Sequence, residues 1–439
     1  MKIIKNILFL VVLLSTLQGF SQEILTKKEA LEIALENNFG VKIAKNNLEV
    51  AKNNKSIYNT GFLPTASISS GANYSNNNQT IDRQDGTSTS IDGAITQSYN
   101  ASLNVNYTIF DGLGRKYNYQ QLKETYNLTE LEAKETIENT YLQLFTNYFQ
   151  IAKLTKNKEN LNEALSISKK RLLRAKYQYE YGQSTKLELL NAEVDVNNDS
   201  ITLINANQLL SNAKRGLNLV LGIEKEVNYT VETNVDFTNI LNFDELHQKM
   251  ITNNTTLKQN EKNIAISEFN IKVNKSNYLP SLGLSTSYGW NKSQNPATSF
   301  LAASSSNGLN AGLSLSWSLF DGGSTKTNIA NSKIALENQQ ILLEQQKITI
   351  DNTLKNTWEN YQSQLFIINA QNKNVITTQN NFDRSKERFK LGQITSIEFR
   401  QAQINLINSK TALNNAKFDA KLTELQLLQL SGDILNVEF

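Results

Sequence analysis

The chain has 439 residues, with 44 Lys and Arg against 41 Asp and Glu, and a formal net charge of only +3, which argues against nucleic acid as a partner. It has no cysteine, which excludes a disulfide framework and thiol chemistry. With a single histidine it also has too few ligands for a zinc or histidine-based catalytic site, so we expect no enzyme, no cofactor and no metal.

The first 21 residues have the pattern of a cleaved secretory signal. Two lysines precede an apolar run from Ile7 to Leu14, and Gly19 and Ser21 stand at the −3 and −1 positions of a cut before Gln22. The apolar run is too short for a spanning helix, which disfavours the alternative of an uncleaved signal anchor. We expect the mature protein to cross the inner membrane.

The rest of the chain is a tandem duplication with an offset of about 210 residues. The stretch "NYTIFDGLGRK", which begins at Asn106, matches "SWSLFDGGSTK", which begins at Ser316. Further along, "LRAKYQYEYGQSTKLELLNAE" matches "DRSKERFKLGQITSIEFRQAQ" at the same offset. We assign a first repeat to residues 22–222, a linker to 223–246, a second repeat to 247–432 and a tail to 433–439.

Each repeat carries one predicted β-hairpin, at about residues 65–110 and 281–320. Apolar and small polar residues alternate there, as in Tyr99, Ala101, Leu103 and Val105, with Asn or Ser between them. Polar, turn-rich segments in the middle of each hairpin predict long, floppy loops. Such half-polar strands are typical of a transmembrane β-barrel, although a soluble β-sandwich is the alternative.

The long flanking stretches contain no proline and read as helices. From Leu354 to Phe389, apolar residues recur in alternate steps of four and three, which predicts a left-handed coiled coil. A first-repeat helix from about Gly114 to Tyr181 would be about 100 Å long. Its expected core positions, counterparts of that series, are Leu144, Tyr148, Ile151, Leu165, Leu172 and Tyr179.

Short motifs mark both ends of the long helices. At the strand-to-helix corners we expect Phe at the membrane interface, Asp at the helix N-terminus and Gly in the bend. At the far ends, Gly breaks the helix, and the Ser or Thr that follows caps the returning helix. The corners are Phe110, Asp111 and Gly112, and Phe320, Asp321 and Gly322; the tips are Gly182, Gln183, Ser184 and Thr185, and Gly392, Gln393, Ile394 and Thr395.

In these features the chain resembles the TolC-like outer membrane efflux proteins, also called outer membrane factors. The resemblance rests on the duplicated helix–hairpin–helix, "LP" before each hairpin, "FDG" after it, and the two tip motifs. It implies a homotrimer with a twelve-stranded barrel in outer membrane lipid and a helical tunnel across the periplasm. It also implies docking to a periplasmic adaptor and an inner-membrane pump, with the linker in a belt around the tunnel. The fold class is thus a mixed α and β membrane protein, in which coiled-coil helical hairpins accompany two transmembrane β-hairpins per chain.

In this family, the tunnel entrance is surrounded by a ring of acidic residues on the helix that follows the second tip. The matching positions are Glu398 and Gln401, so one ring would stay acidic and the other would be neutral. The Arg that belongs to the family's lock is replaced here by Ile394, so an ionic lock of that kind is not expected. The alternative for Glu398 is an ordinary solvated helix charge.

Three functions compete on the sequence alone. The first is a passive conduit for small toxic compounds in a tripartite efflux system. The second is the exit duct of a type I protein secretion system, which would have the same fold. The third is a periplasmic adaptor or coiled-coil scaffold, which would carry one helical hairpin, flanking soluble β domains and no lipid-facing strands.

Overall fold

The computed structural model describes residues 24–224, 229–237 and 241–437. The predicted signal peptide lies outside these ranges, as does part of the predicted linker. The described residues divide into two compact units, one of residues 24–46, 131–224, 229–237, 241–258 and 345–437 and the other of 47–130 and 259–344. The elements in chain order are β1 (Ile24–Leu25), α1 (Lys27–Asn37), α2 (Phe39–Asn54), β2 (Thr65–Asp82), β3 (Ser88–Asp111), α3 (Gly114–Glu180), α4 (Lys186–Leu221), β4 (Thr230–Val231), α5 (Phe243–Asn253), α6 (Thr255–Ser276), β5 (Ser281–Gln294), β6 (Ala303–Ser316), α7 (Ser324–Lys390) and α8 (Ser396–Leu430).

The two long helices confirm the helical prediction. Both α3 and α7 have 67 residues, which corresponds to about 100 Å at 1.5 Å per residue. Their returning partners α4 and α8 have 36 and 35 residues. Helix α5 begins at Phe243, inside the stretch predicted as a linker, because Asn242 caps it by accepting a hydrogen bond from the Asp244 N–H. None of the helices in the described ranges is long and apolar enough to span a bilayer.

The duplication is visible where each returning helix ends. Asn38, between α1 and α2, donates from Nδ2 to the Val220 carbonyl at 2.7 Å, and Asn254, between α5 and α6, donates to the Leu430 carbonyl at 3.0 Å. The glycine after each of these helix ends approaches the backbone so closely that a Cβ on Gly222 would lie 2.3 Å from the Asn37 carbonyl oxygen. We call these two contacts the asparagine clamps.

An aromatic core on α3 organises the first unit. Tyr141, Phe145, Tyr148 and Phe149 are each at most 2% exposed. The Tyr148 hydroxyl donates to the Leu25 carbonyl at 2.7 Å and accepts from the Glu232 N–H at 3.0 Å, so it joins α3 to the chain beside the small parallel pair β1–β4. Burial raises the pKa of Tyr148, which therefore stays a neutral donor at neutral pH.

Toward the tips, the buried face of α3 differs from the predicted one. Leu165 and Leu172 are only half-buried and Tyr179 is exposed. The prediction was wrong there because α3 contacts both α4 and α8, through Ser168 and Ala164, and these contacts bury a different face of the helix. The buried positions, still in steps of four and three, are Ala164, Ser168, Arg171 and Ala175.

The second unit contains an antiparallel sheet in the order β2-β3-β5-β6. Its two faces differ, as the alternation predicts. One row across the sheet joins Ser67, Asn104, Ser287 and Asn310, and the next joins Ile68, Leu103, Tyr288 and Leu309. Ile68 is 80% exposed and Leu309 69%, so the apolar face is uncovered within one chain.

Two details of the hairpins correct the sequence prediction. The predicted floppy loops are mostly strand: β2 and β3 leave only residues 83–87 between them, and β5 and β6 leave 295–302. Backbone groups make the ladder, so polar side chains do not prevent pairing. In the second hairpin β6 ends at Ser316 rather than at 320, because its partner β5 begins at Ser281, directly after Pro280, and has no residue to pair beyond it.

Candidate functional site

The strand-to-helix corners use the two aspartates in the same way. Asp111 Oδ2 accepts a hydrogen bond from the Arg115 N–H at 2.8 Å, and Asp321 Oδ2 accepts one from the Thr325 N–H at 2.7 Å. Both carboxylates therefore satisfy a free N–H in the first turn of a long helix. Gly112 and Gly322 follow with φ of +67° and +70°.

The two phenylalanines of the corners lie in different surroundings. Phe110 is opposite Leu282 in the sheet, whereas Phe320 follows the end of β6 and is 86% exposed. An aromatic side chain at this level is available to an interface with lipid or with another copy of the chain.

Both helical tips share one backbone geometry. Gly182 and Gly392 have φ of +70° and +72°, a left-handed conformation that favours glycine, and nothing lies within 4 Å of where a Cβ would be. The next residue closes the helix end: the Gln183 N–H donates to the Gln178 carbonyl at 2.7 Å, and the second tip repeats the bond from Gln393.

The returning helices begin at threonine caps, but only the second tip has a complete capping box. Thr185 Oγ1 accepts from the Glu188 N–H, and Glu188 in turn accepts from the Ser184 hydroxyl at 2.6 Å. At the second tip Thr395 Oγ1 accepts from the Glu398 N–H, while Glu398 Oε2 accepts from the Thr395 N–H at 2.8 Å.

The predicted gate residues lie on the exposed first turns of α8. The hydrogen bonds from the Thr395 backbone and hydroxyl, and then the charge of Arg388, lower the pKa of the Glu398 carboxyl, so it is ionised at neutral pH. Gln401 is exposed and donates to Asn405 Oδ1 at 2.8 Å. Ile394 packs against an apolar cluster of Phe382, Phe399 and Leu406, with Ile167 and Phe389 beside it.

A buried ion cluster between the two helical hairpins was missed by the sequence analysis. Arg400 on α8 donates from Nη2 and Nη1 to the two carboxylate oxygens of Asp199 on α4, at 2.6 and 2.9 Å. Asp199 also accepts from the Ser168 hydroxyl of α3 at 2.6 Å. Arg171 of α3 pairs with Asp195 of α4, whose other oxygen lies 3.6 Å from Arg400 Nε. We call these five residues the tip ion cluster.

Within the tip ion cluster the charges compensate one another away from water. The side chains of Arg400 and Asp199 are 15% and 13% exposed, and that of Arg171 only 2%. Burial, and then the neighbouring Arg400, lower the pKa of Arg171 to about 10, so it stays positively charged at neutral pH. Two cations and two carboxylates thus join three helices from both repeats.

A signal for this cluster was present in the comparison of the repeats. At the offset of 210, Ser168 and Asp199 correspond to Thr378 and Ser409, which also bond to each other, at 2.6 Å. The polar contact is therefore duplicated, but only the first repeat makes it with a carboxylate. Aligned positions that are charged in one repeat and neutral in the other, such as Asp199 and Ser409, would have pointed to the site.

Helix α4 also presents an apolar stripe at heptad spacing. The stripe begins two residues after the first tip and follows the steps of a coiled-coil seam, with Asn197 in one core position. Each of its apolar side chains is at least 46% exposed. They are Leu187, Leu190, Val194, Ile201 and Ile204.

Comparison with known proteins agrees with this architecture. Residues 30–223 and 246–433 match the family described as "Outer membrane efflux protein". TolC of Vibrio cholerae is 20% identical over 301 residues, which cover 68% of this chain and 69% of TolC. The outer membrane efflux protein BepC of Brucella suis is 25% identical over 189 residues, 42% of this chain and 39% of BepC.

Solved structures show the same fold. The outer membrane channel CmeC of Campylobacter jejuni superposes with a TM-score of 0.78 and 16% identity, over 93% of this chain and 85% of CmeC. VceC of Vibrio cholerae gives a TM-score of 0.74 and 15% identity, over 92% of this chain and 95% of VceC. The chain therefore belongs to the outer membrane efflux protein family, and it is an outer membrane efflux channel with a helical periplasmic part.

Proposed function

We propose that three copies of the chain assemble into a passive conduit, through which a periplasmic adaptor and an inner-membrane pump export small toxic compounds. The observation that carries this proposal is the open four-stranded sheet, which ends at β2 and β6 and has an uncovered apolar face. Unpaired backbone groups at a sheet edge cost several kcal/mol each in lipid, so both edges need partners. Three copies would supply twelve strands, enough to close a barrel.

The apolar stripe on α4 supports the same assembly. Exposed side chains at heptad spacing are the pattern of a helix that packs against another helix. Within one chain these side chains face solvent. A neighbouring copy would cover them and continue the helical wall of the tunnel.

Engineered disulfides test the trimer directly, because the natural chain has no cysteine. Ala66 on β2 is level with Ala311 on β6 through the pairing across the sheet. We expect Ala66→Cys, combined with cysteine at 309, 311 or 313, to give a covalent trimer on oxidation in one of these registers. Ser98→Cys with Ser293→Cys, directly opposite within one chain, should give only a cross-linked monomer. A monodisperse monomer that conducts ions would contradict the trimer.

The adaptor is proposed to bind at the two tips, residues 182–185 and 392–395. Their backbone is exposed and no side chain crowds the glycines, which leaves room for a partner's helices. Gly392→Trp should abolish efflux in a host that supplies adaptor and pump, while trimer and conductance persist. Gly86→Trp, at another uncrowded glycine with φ of +86°, in the turn between β2 and β3, is the matched control and should leave efflux intact. Unchanged drug resistance with both Gly182 and Gly392 replaced would count against tip binding.

Glu398 is proposed to form an acidic ring at the periplasmic mouth. Three ionised carboxylates around one axis attract cations and repel anions. In planar bilayers Glu398→Ala should therefore reduce cation selectivity and block by multivalent cations, and Glu188→Ala, its first-repeat counterpart, should do less. If the two variants change cation selectivity equally, or neither changes it at low salt, Glu398 acts only as a helix cap. Export of an unfolded polypeptide without any change in drug resistance would favour a secretion duct.

A further inference from the structure

The apolar face of the four-stranded sheet ends in aromatic residues on the side away from the corners. Trp290 on β5, Tyr99 on β3 and Tyr74 on β2 lie in three successive rows of this face. They are 39%, 41% and 60% exposed. In outer membrane barrels, a girdle of aromatic residues marks the level at which the hydrocarbon of the bilayer meets the lipid headgroups. We call these three residues the upper girdle.

A single charged residue, Lys292, lies on this face within the upper girdle. It is exposed, directly opposite Tyr99 and two residues after Trp290 on the same strand. It is also the only charged residue in the paired segments of the four strands, which are 65–74, 97–110, 281–294 and 303–316. These segments therefore offer no carboxylate to Lys292 on either face of the sheet.

The position of Lys292 along β5 matches the outer edge of a bilayer. The apolar face begins at the corner end with Leu282, which lies opposite Phe110. Lys292 is ten residues further along the strand. This separation is about 34 Å at about 3.4 Å per residue, or about 26 Å along the axis of a barrel whose strands tilt by about 40°. Because the apolar band of such barrels is about 25 Å tall, Lys292 lies at the level of the outer headgroups.

We propose that Lys292 binds the phosphate of an anionic lipid in the outer leaflet. Its ammonium group donates charge-assisted hydrogen bonds to the phosphate oxygens, while the aliphatic part of the side chain stays on the apolar face. The Tyr99 hydroxyl and the Trp290 indole N–H are further donors at the same level, and their rings pack against the acyl chains. The inference rests on the outer membrane location of the strands, and neither on the trimer nor on the adaptor.

The fluorescence of Trp290 reports which lipid lies beside Lys292. With Trp317 replaced by Phe, the other remaining tryptophan is Trp358, on helix α7 of the periplasmic part. This full-length protein is reconstituted in phosphatidylcholine vesicles that contain either brominated phosphatidylglycerol, which is anionic, or brominated phosphatidylcholine. Bromine quenches a tryptophan only at short range, so the two quenching curves give the relative affinity for the anionic lipid. We expect a preference of about fivefold, the effect of one lysine at an anionic surface, and a decrease as salt is raised.

Variants at the same level of the sheet test the role of the cation. Lys292→Gln should reduce the preference to about one, and Lys292→Arg should keep it. Ser305 lies opposite Lys292 on β6, on the same face, so Lys292→Gln/Ser305→Lys should restore the preference. Asn291 is adjacent in sequence and lies on the polar face, so Lys292→Gln/Asn291→Lys is the matched control and should not restore it.

Three results would overturn the inference. They are equal quenching by the two lipids when Lys292 is present, an unchanged preference in Lys292→Gln, and restoration by Asn291→Lys, which would indicate attraction by net charge alone. Glycerol 3-phosphate, compared with sodium chloride at the same ionic strength, should leave the preference intact. If it abolishes the preference, the site takes a free phosphate ester and not a lipid.

Discussion

Removal of Arg400 from the tip ion cluster should weaken the attachment of α8 to α3 and α4. In Arg400→Leu, the carboxylate of Asp199 loses two hydrogen bonds, of 2.6 and 2.9 Å, in a site where both side chains are at most 15% exposed. Breaking one partner of a buried ion pair costs about 3–5 kcal/mol. Because Asp199 keeps the bond from the Ser168 hydroxyl, we take the lower end, about 3 kcal/mol.

If the closed tunnel depends on this attachment, 3 kcal/mol shifts the balance toward the open state by about 100-fold. Single-channel recording in planar bilayers should show longer and larger openings for Arg400→Leu, and hydrogen exchange should be faster in the first turns of α8. Arg400→Lys keeps the charge but loses the two-pronged contact, so we expect an intermediate effect.

Lys410 provides the matched control for Arg400. It also joins α8 to α3, through Glu163 at 3.4 Å, but these side chains are 26% and 59% exposed. Exposed pairs contribute about 0.2–1 kcal/mol, so Lys410→Leu should hardly change the openings. If Arg400→Leu opens the channel no more than Lys410→Leu does, the tip ion cluster does not hold the tunnel closed.

Three further changes test other parts of the structure. Gly222→Ala should lower the free energy of unfolding by more than about 2 kcal/mol, because the new Cβ would lie 2.3 Å from a backbone oxygen. Gly182→Ala should cost only about 1–2 kcal/mol, from the left-handed backbone alone, because nothing lies near its Cβ. Equal losses of stability in thermal unfolding would contradict this. Since hydrogen bonds from Thr395 lower the pKa of Glu398, the capping box is complete above about pH 4.5 and is lost as the pH falls through the lowered value. Relative to the intrinsic exchange rate at each pH, the protection of the amides at the start of α8 should then fall in the wild type and not in Glu398→Ala. Ile394→Arg should reduce the melting temperature by placing a charge against an apolar cluster, and a more stable variant would argue for an ionic lock at this position.

The strands and long helices could be predicted because their side-chain periods are regular over many residues. The alternation around Leu103 and Leu313 gives the two faces of the sheet, and the absence of proline gives helices of 67 residues. The hairpin ends were predicted less well. Polar residues such as Thr80 and Ser90 suggested loops, yet they lie opposite each other in the ladder, with their hydroxyls 3.0 Å apart.

The tip ion cluster could not be predicted from local pattern. Arg171, Asp195, Asp199 and Arg400 each look like solvated helix charges, and their burial depends on two hairpins that are more than 200 residues apart in sequence. In this packing the buried positions of α3 are Ser168, Arg171 and Ala175 rather than Leu172. Tertiary contact between helices, rather than helical period, decides which face is buried.

The paired strands of the first hairpin continue beyond those of the second, whose loop folds against them, since the Thr298 hydroxyl donates to Gln79 Oε1 at 2.9 Å. β3 pairs with β5 only as far as Gln97, opposite Gln294, while β2 and β3 continue to pair with each other as far as Asp82 and Ser88. At about 3.4 Å per residue, the extra length is about 25 Å of two-stranded ribbon. Its turn lies at the end of the sheet opposite the corners that lead into the periplasmic helices, so on an intact cell it is the first part of the protein that an antibody or a protease meets. A peptide epitope inserted between residues 83 and 87 should therefore be displayed on living cells, with the strands below it undisturbed.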